Sequence, residues 1–186
     1  MARATGRSAV ATRDLILRAA QDVVLTEGVA HLTLEQAAER AGLSKGGVLY
    51  HFRSRNDLVA AMVQRLVQRF DVGVRARHQA APAASFAHAY VEECLVEATS
   101  EHEQREERVG AALIAAIAAR PDLLRPLREA FAGWQRQLED DAADPVEATV
   151  ARLAADGLWL CELFGIDALT PAMREQVSAR LRRMVS

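Results

Sequence analysis

Between Leu32 and Leu58 the chain reads LTLEQAAERAGLSKGGVLYHFRSRNDL, and three helix-start signals crowd into that stretch. Thr33 with Gln36 has the spacing of a capping box, and Leu32 with Ala37 stands where a hydrophobic staple falls. Leu34, Ala37, Ala38 and Ala41 supply one apolar face of a short helix that Gly42 can close. Ser44 is a good N-cap for a second helix, with Leu43 and Val48 at its staple positions. Ser54 caps a third, with Asp57 at the reciprocal position. Two short helices joined by a tight Gly-containing turn read as a helix-turn-helix.

The second helix has an unusual first turn, Lys45-Gly46-Gly47. A mid-helix glycine costs about 1 kcal/mol relative to alanine, so two in a row need a reason. Close approach of the helix terminus to a bulky surface is one, and a DNA duplex is such a surface. Tyr50, His51, Arg53 and Arg55 follow, all within reach of a polyanion if they face outward. Arg55 is a cation in the first turn of a helix and opposes the macrodipole. A phosphate would relieve it, and the free N–H groups of that turn would bind the phosphate too.

From about Arg13 to Leu58 the chain resembles the TetR-like (TetR/AcrR) transcriptional regulators of bacteria. The landmarks are Ile16-Leu17, Ala19-Ala20, Gly28, Thr33, Ala38, Ala41-Gly42-Leu43-Ser44-Lys45-Gly46, and Tyr50-His51-Phe52 leading to Ser54-Arg55. Many family members carry Tyr three residues before the Phe, where this chain has Leu49 with the aromatic displaced to Tyr50. The Lys usual before the acidic residue of the fourth helix is replaced by Arg55, which keeps the charge. The resemblance implies a homodimer that binds a palindromic double-stranded operator and is released from it by a small-molecule effector. The DNA-binding set is then Thr33, Ser44, Lys45, Gly46, Gly47, Leu49, Tyr50, His51 and Arg55. Lys45 is its only long base-reading side chain in the first turn, suited to guanine O6 and N7.

Charge and composition bear on this. A hydrophobic fraction of 51% with only 5% aromatic means mostly Ala, Leu and Val, which suits closely packed helices. The net charge of −2 divides unevenly: residues 1–77 hold 12 Lys/Arg against 7 Asp/Glu, and residues 78–186 hold 11 against 18. That is a basic reader joined to an acidic body. Cys94 and Cys161 lie in apolar helical patterns and make no disulfide framework, so a reducing cytoplasm is expected. There is no signal-length apolar run at the N-terminus and no stretch of 18 apolar residues, so a soluble chain with no membrane partner is expected.

In order, residues 1–11 read as a flexible arm with Arg3 and Arg7, residues 12–55 as the helix-turn-helix DNA-binding domain, and residues 56–186 as an effector-binding and dimerisation domain. Helices are expected over Thr12–Thr26, Asp57–His78, Ser85–Thr99, Glu101–Ala119, Leu123–Leu138, Asp144–Phe164 and from Thr170 on, in addition to the two short ones. The total is about nine, in an all-α fold with no strand pattern. Glu101 to Arg108 (EHEQREER) reads as solvated first turns, and its His102 with adjacent rather than convergent glutamates makes no metal site. No HExxH, CxxC or phosphate-loop pattern appears, so neither an enzyme nor a cofactor is expected.

The resemblance places the effector among the middle helices, where the candidates are Met62, Leu66, Phe70, Phe86, Tyr90, Glu93, Cys94, Leu113, Ile117, Phe131, Trp134 and Trp159. Glu93 and Glu97 could share a side with Phe86 and Tyr90; the expected effector is mostly hydrophobic. It also implies dimerisation through the last two helices, with Leu153, Ala154, Gly157, Leu160, Cys161, Phe164, Val177 and Leu181 as candidates, the small residues permitting close backbone approach. The competing reading is a helical protein-interaction module of the same fold that binds no specific DNA.

Overall fold

The computed structural model describes residues 8–96, 98–117, 120 and 123–186. Among the described residues the chain is all-α: α1 (Ala9–Glu27), α2 (Leu34–Ala41), α3 (Lys45–His51), α4 (Arg55–Ala80), α5 (Phe86–Cys94), α6 (Glu101–Ile117), α7 (Arg125–Asp141), α8 (Pro145–Leu163) and α9 (Pro171–Met184). A single 3-10 turn, Val29–His31, joins α1 to α2. Two compact units emerge, Met1–Gln64 with Arg108–Leu124 and Arg65–Glu107 with Arg125–Ser186. The division between them runs through α4 and α6.

In the first unit, Ser8 caps α1 by accepting from the Ala11 N–H. The helix therefore starts ahead of Thr12 and takes residues 9–11 out of the expected arm; Arg3 and Arg7 lie outside the described residues. Ile16, Ala19, Ala20, Val23 and Val24 form its buried stripe, as the 3.6-residue period requires. Thr33 accepts from the Gln36 N–H at 3.1 Å, one half of the capping box. The other half is redirected: the Gln36 amide donates to Glu27 at 2.7 Å, and the Thr33 hydroxyl donates to Gln36 Oε1. Arg40 pairs with the same Glu27, so one carboxylate ties the end of α1 to α2. Gly42 turns the chain in the left-handed region (φ 64°), and the Leu43 N–H closes the turn on the Ala38 carbonyl at 2.9 Å. Leu58, Val59, Met62 and Val63 of α4 and Val109, Leu113 and Ile117 of α6 are all buried.

The second unit has its own core, in which Val74, Phe86, Tyr90, Val91, Trp134, Leu138, Ala148, Ala151, Ala155 and Leu181 are buried. Here α5 ends at Cys94, five residues short of the expected Thr99. The reason is the next helix start. Thr99 and Ser100 N–H groups both donate to Glu103 Oε2 at 2.9 Å while Ser100 Oγ accepts from the Glu103 N–H, a full capping box for α6. Bonds from Ser100 and then Thr99 hold the Glu103 carboxyl down to about 2, below its ordinary 4.5. A folded value below the unfolded one means that the cap is fully formed above about pH 4.5 and is lost as pH falls toward 2. Protection of the Thr99 and Ser100 amides, taken against the intrinsic exchange rate at each pH, is expected to fall across that window, and Glu103→Gln to remove the transition.

The charged run at the start of α6 is not wholly solvated, since Glu106 is buried and faces Arg69 at 3.8 Å. Pro126 lies at the second position of α7, where no backbone donor is required, and makes no break. Asp144 caps α8 through the Val146 and Glu147 N–H groups, and Thr170 caps α9 through the Met173 N–H. The core-facing side of α8 is Ala148, Ala151, Arg152 and Ala155, with Leu158 packed beside it, while Val146, Val150, Leu153 and Leu160 are exposed.

Candidate nucleic-acid interface and effector cluster

The recognition-helix candidate α3 is seven residues long and is held by its ends. Ser44 Oγ accepts from the Gly47 N–H at 3.1 Å, Val48 is fully buried, and Phe52 just beyond is 2% exposed with the Arg13 guanidinium 5.0 Å above its ring. Everything else on it is available. Lys45, Gly46, Leu49 and Tyr50 are exposed, Tyr50 at 82%, with the His51 ring set edge-on to it at 5.1 Å. A Cβ at Gly46 or Gly47 would meet only Ser44 Oγ, at 4.0 and 3.4 Å. Among the described residues nothing requires glycine there, and no packing among them offsets the helix cost of about 1 kcal/mol each. Lys45 pairs with Glu35 at 2.6 Å, both side chains more than half exposed. That bond from Lys45 holds Glu35 below the usual carboxylate range.

Thr33 and Ser44 are occupied as caps of α2 and α3. Arg55 has partners inside its own unit that the sequence argument did not foresee: its Nε donates to the Leu32 carbonyl at 2.7 Å and its Nη2 to the Val29 carbonyl at 2.6 Å. Two carbonyl dipoles from the α1–α2 corner thus face the guanidinium in the free protein. They lie 23 and 26 residues upstream, beyond what local helix rules can see.

Of the effector candidates, Met62, Leu113 and Ile117 are buried in the first unit, and the rest belong to the second. There Phe70 meets Tyr90 and Trp134 at 5.0 Å each, Tyr90 meets Trp134 at 5.7 Å, Phe131 meets Trp134 at 5.3 Å and Phe86 meets Tyr90 at 6.5 Å. Trp159 is half-buried on α8 outside these ring contacts, and Leu66 is half-buried on α4. Glu93 does not turn to the rings. Its carboxylate lies against α4 at Gly73, where a Cβ would collide with it, and pairs with Arg77 at 2.7 Å. Glu97 lies outside the described residues.

Polar groups that the sequence reading passed over surround the rings. The Tyr90 hydroxyl donates to Asp156 Oδ1 at 2.8 Å, and Arg152 donates to Asp156 Oδ2 at 2.8 Å and to Gln135 Oε1 at 2.9 Å. The Arg152 guanidinium also lies 5.7 Å from the Phe131 ring centre. The Trp134 indole donates to Asp71, which Arg75 also holds. Burial pushes Asp156 up, against the Tyr90 bond and the Arg152 charge; partial burial of Asp71 is outweighed by the bonds from Arg75 and Trp134, which hold it down. Burial also raises the Cys94 thiol well above its ordinary value, making it a poor nucleophile. The available signal was Arg152 four residues before Asp156 in the middle of a mostly apolar helix, the spacing of an i,i+4 pair.

On α8, Val146, Val150, Leu153, Leu160 and Phe164 are 40–74% exposed, with Ala154 and Gly157 exposed between them. Cys161 and Val177 are half-buried. Leu181, grouped with this face from the sequence, is corrected: it is 4% exposed and packs in the second unit's own core.

The chain matches known proteins along most of its length. Residues 16–62 match the family described as bacterial regulatory proteins, tetR family, and residues 84–186 match the tetracyclin repressor-like C-terminal domain. The regulator SrpR of Pseudomonas putida is 38% identical over 63 residues, and the transcriptional repressor BepR of Brucella suis biovar 1 (strain 1330) is 36% identical over 63. Each match covers 34% of this chain and 30% of the relative, so the chain spans under a third of the length of these two curated relatives. The multidrug binding protein EbrR, solved with imidazole, superimposes with a TM-score of 0.70 at 25% identity, covering 94% of each chain; it has also been solved with malachite green and with ethidium. Since the C-terminal model alone takes in more than half of the residues, the chain belongs to the tetR family of bacterial regulatory proteins.

Proposed function

We propose that this protein is a cytoplasmic, ligand-responsive transcriptional regulator, a homodimeric repressor that leaves a palindromic operator when a small, mostly hydrophobic effector binds. The observation that carries the DNA-binding part is the first turn of α3, where an exposed lysine is followed by two glycines whose missing side chains would meet only the Ser44 hydroxyl. The functional headpiece is residues 12–55. Two copies of α3 enter successive major grooves about 34 Å apart. Lys45 leaves Glu35, an exposed and solvent-screened partner, and bonds to guanine. Tyr50 and His51 contact phosphates, with the caps Thr33 and Ser44 beside them, while Gly46, Gly47 and Leu49 lie against the bases.

The ring cluster of Phe70, Phe86, Tyr90, Phe131 and Trp134 supports an aromatic effector. Three acids stand near it, but Asp71, Glu93 and Asp156 each already have an arginine partner. Stacking area on the rings then governs selection, and EbrR, similar in fold, has been solved with malachite green and with ethidium. The last two helices supply the dimer contact through the exposed apolar face of α8.

The test is selection of genomic DNA fragments by the purified protein at stated salt, followed by a compound panel scored for release of the selected fragment. One palindromic site is expected, and Lys45→Ala is expected to change its preferred bases by about 1–3 kcal/mol of discrimination at one position per half-site. No enrichment, repeated after unfolding and refolding to strip ligand, would favour the protein-interaction module instead.

A further inference from the structure

We propose that Arg55 is a positioning residue, a two-pronged strut that fixes the start of α4 to the α1–α2 corner and thereby sets how α3 is presented. The recognition helix is short and buries only Val48, so its attitude depends on the helices at its two ends. Leu32, whose carbonyl accepts from Arg55 Nε, immediately precedes Thr33, the cap of α2; Val29, whose carbonyl accepts from Nη2, opens the 3-10 turn. Arg55 is itself the first residue of α4. One guanidinium thus joins the beginning of α2 to the beginning of α4, with α3 lying between them in the chain. Both bonds are short and charge-assisted, and the planar fork reaches two carbonyls at once, which an ammonium point charge does not reproduce.

The consequence for DNA rests on the DNA-binding reading above, whereas the strut itself does not. The experiment compares the full chain with Arg55→Lys and Arg55→Ala in two measurements. One is affinity for a random-sequence 25-base-pair duplex as a function of potassium chloride; the other is amide exchange over Leu32–Gln36 and Lys45–His51 in the free protein. A strut predicts that both variants bind on the order of tenfold more weakly, with an unchanged slope of log affinity against log salt. It also predicts faster exchange in both segments. A slope shallower by about 0.9 with unchanged exchange would make Arg55 a phosphate ligand and overturn the proposal. Full rescue by Arg55→Lys would overturn it as well, and because that variant keeps charge and bulk, it carries the test if Arg55→Ala does not fold. If the unaltered protein shows no salt-dependent binding, the DNA-binding reading fails, and the exchange rates still decide the strut: faster in the variants supports it, unchanged removes it.

Discussion

Leu153→Glu is expected to convert the dimer to a monomer and to weaken operator binding by more than about a hundredfold, because burying an unpaired carboxylate costs several kcal/mol. The leucine is 57% exposed in the single chain, so the substitution leaves the second unit's core untouched. Its cost falls on association. Around a two-fold axis the same residue enters from both copies, so one substitution places two like charges in one interface. Val146, Val150, Leu153, Leu160 and Phe164 recur at helical spacing with Ala154 and Gly157 between them, and contiguous exposed apolar area of this kind marks an interaction surface. Sedimentation of the variant at micromolar concentration checks the expectation. A Leu153→Glu protein that sediments as a dimer would move the interface elsewhere. Leu181 cannot serve this test, since a charge there would enter the core of its own unit.

Arg152→Met is expected to cost about 3–5 kcal/mol of folding stability, the usual penalty for removing one member of a buried ion pair. For a chain of this size that lowers the melting temperature by roughly 6–20 °C. The side chains of Arg152 and Asp156 are only 11% and 20% exposed, and without the guanidinium Asp156 keeps the Tyr90 hydroxyl while Gln135 loses its donor. The loss should also depend on pH. Burial already raises the Asp156 carboxyl, and removing the positive charge raises it further. A folded value above the unfolded one means that the folded state holds the extra proton. The variant's deficit therefore grows as pH rises past the already raised value of Asp156 in the unaltered protein, and shrinks on acidification. Urea denaturation of both proteins at pH 4 and pH 8 measures this. A deficit below about 1 kcal/mol that does not vary with pH would assign the network no part in stability.

The parts of this fold that were legible in the sequence are those set by residues three or four apart. Ser44, Ser54, Asp144 and Thr170 cap the helices at which they were placed, because a cap needs only its own side chain and a donor two or three residues on. The failures are of two kinds, local signals that were passed over and partners that arrive only through tertiary folding. Taking Thr99 as the end of α5 overlooked the Ser100–Glu103 box, where a helix start overrides the continuing apolar period. Periodicity showed that α8 has an apolar face and could not say which neighbour covers it, so Leu153 and Leu181 were grouped though only one is exposed. Arg55 was visible as a charge at odds with its helix, but its partners arrive through tertiary folding. The Arg152–Asp156 pair was written in the sequence and was passed over because the surrounding helix was read for its apolar residues.

The division of labour along α3 has an evolutionary consequence. Ser44, Val48 and Phe52 secure the helix, whereas positions 45, 46, 49 and 50 are exposed. Mutation can sample those outward positions with little effect on whether the chain folds, since surface substitutions usually stay within about 0.5 kcal/mol. A lineage could therefore exchange one target sequence for another in single steps while each intermediate remains a well-folded protein, and a protein engineer can randomise the same four positions as a replaceable reading head.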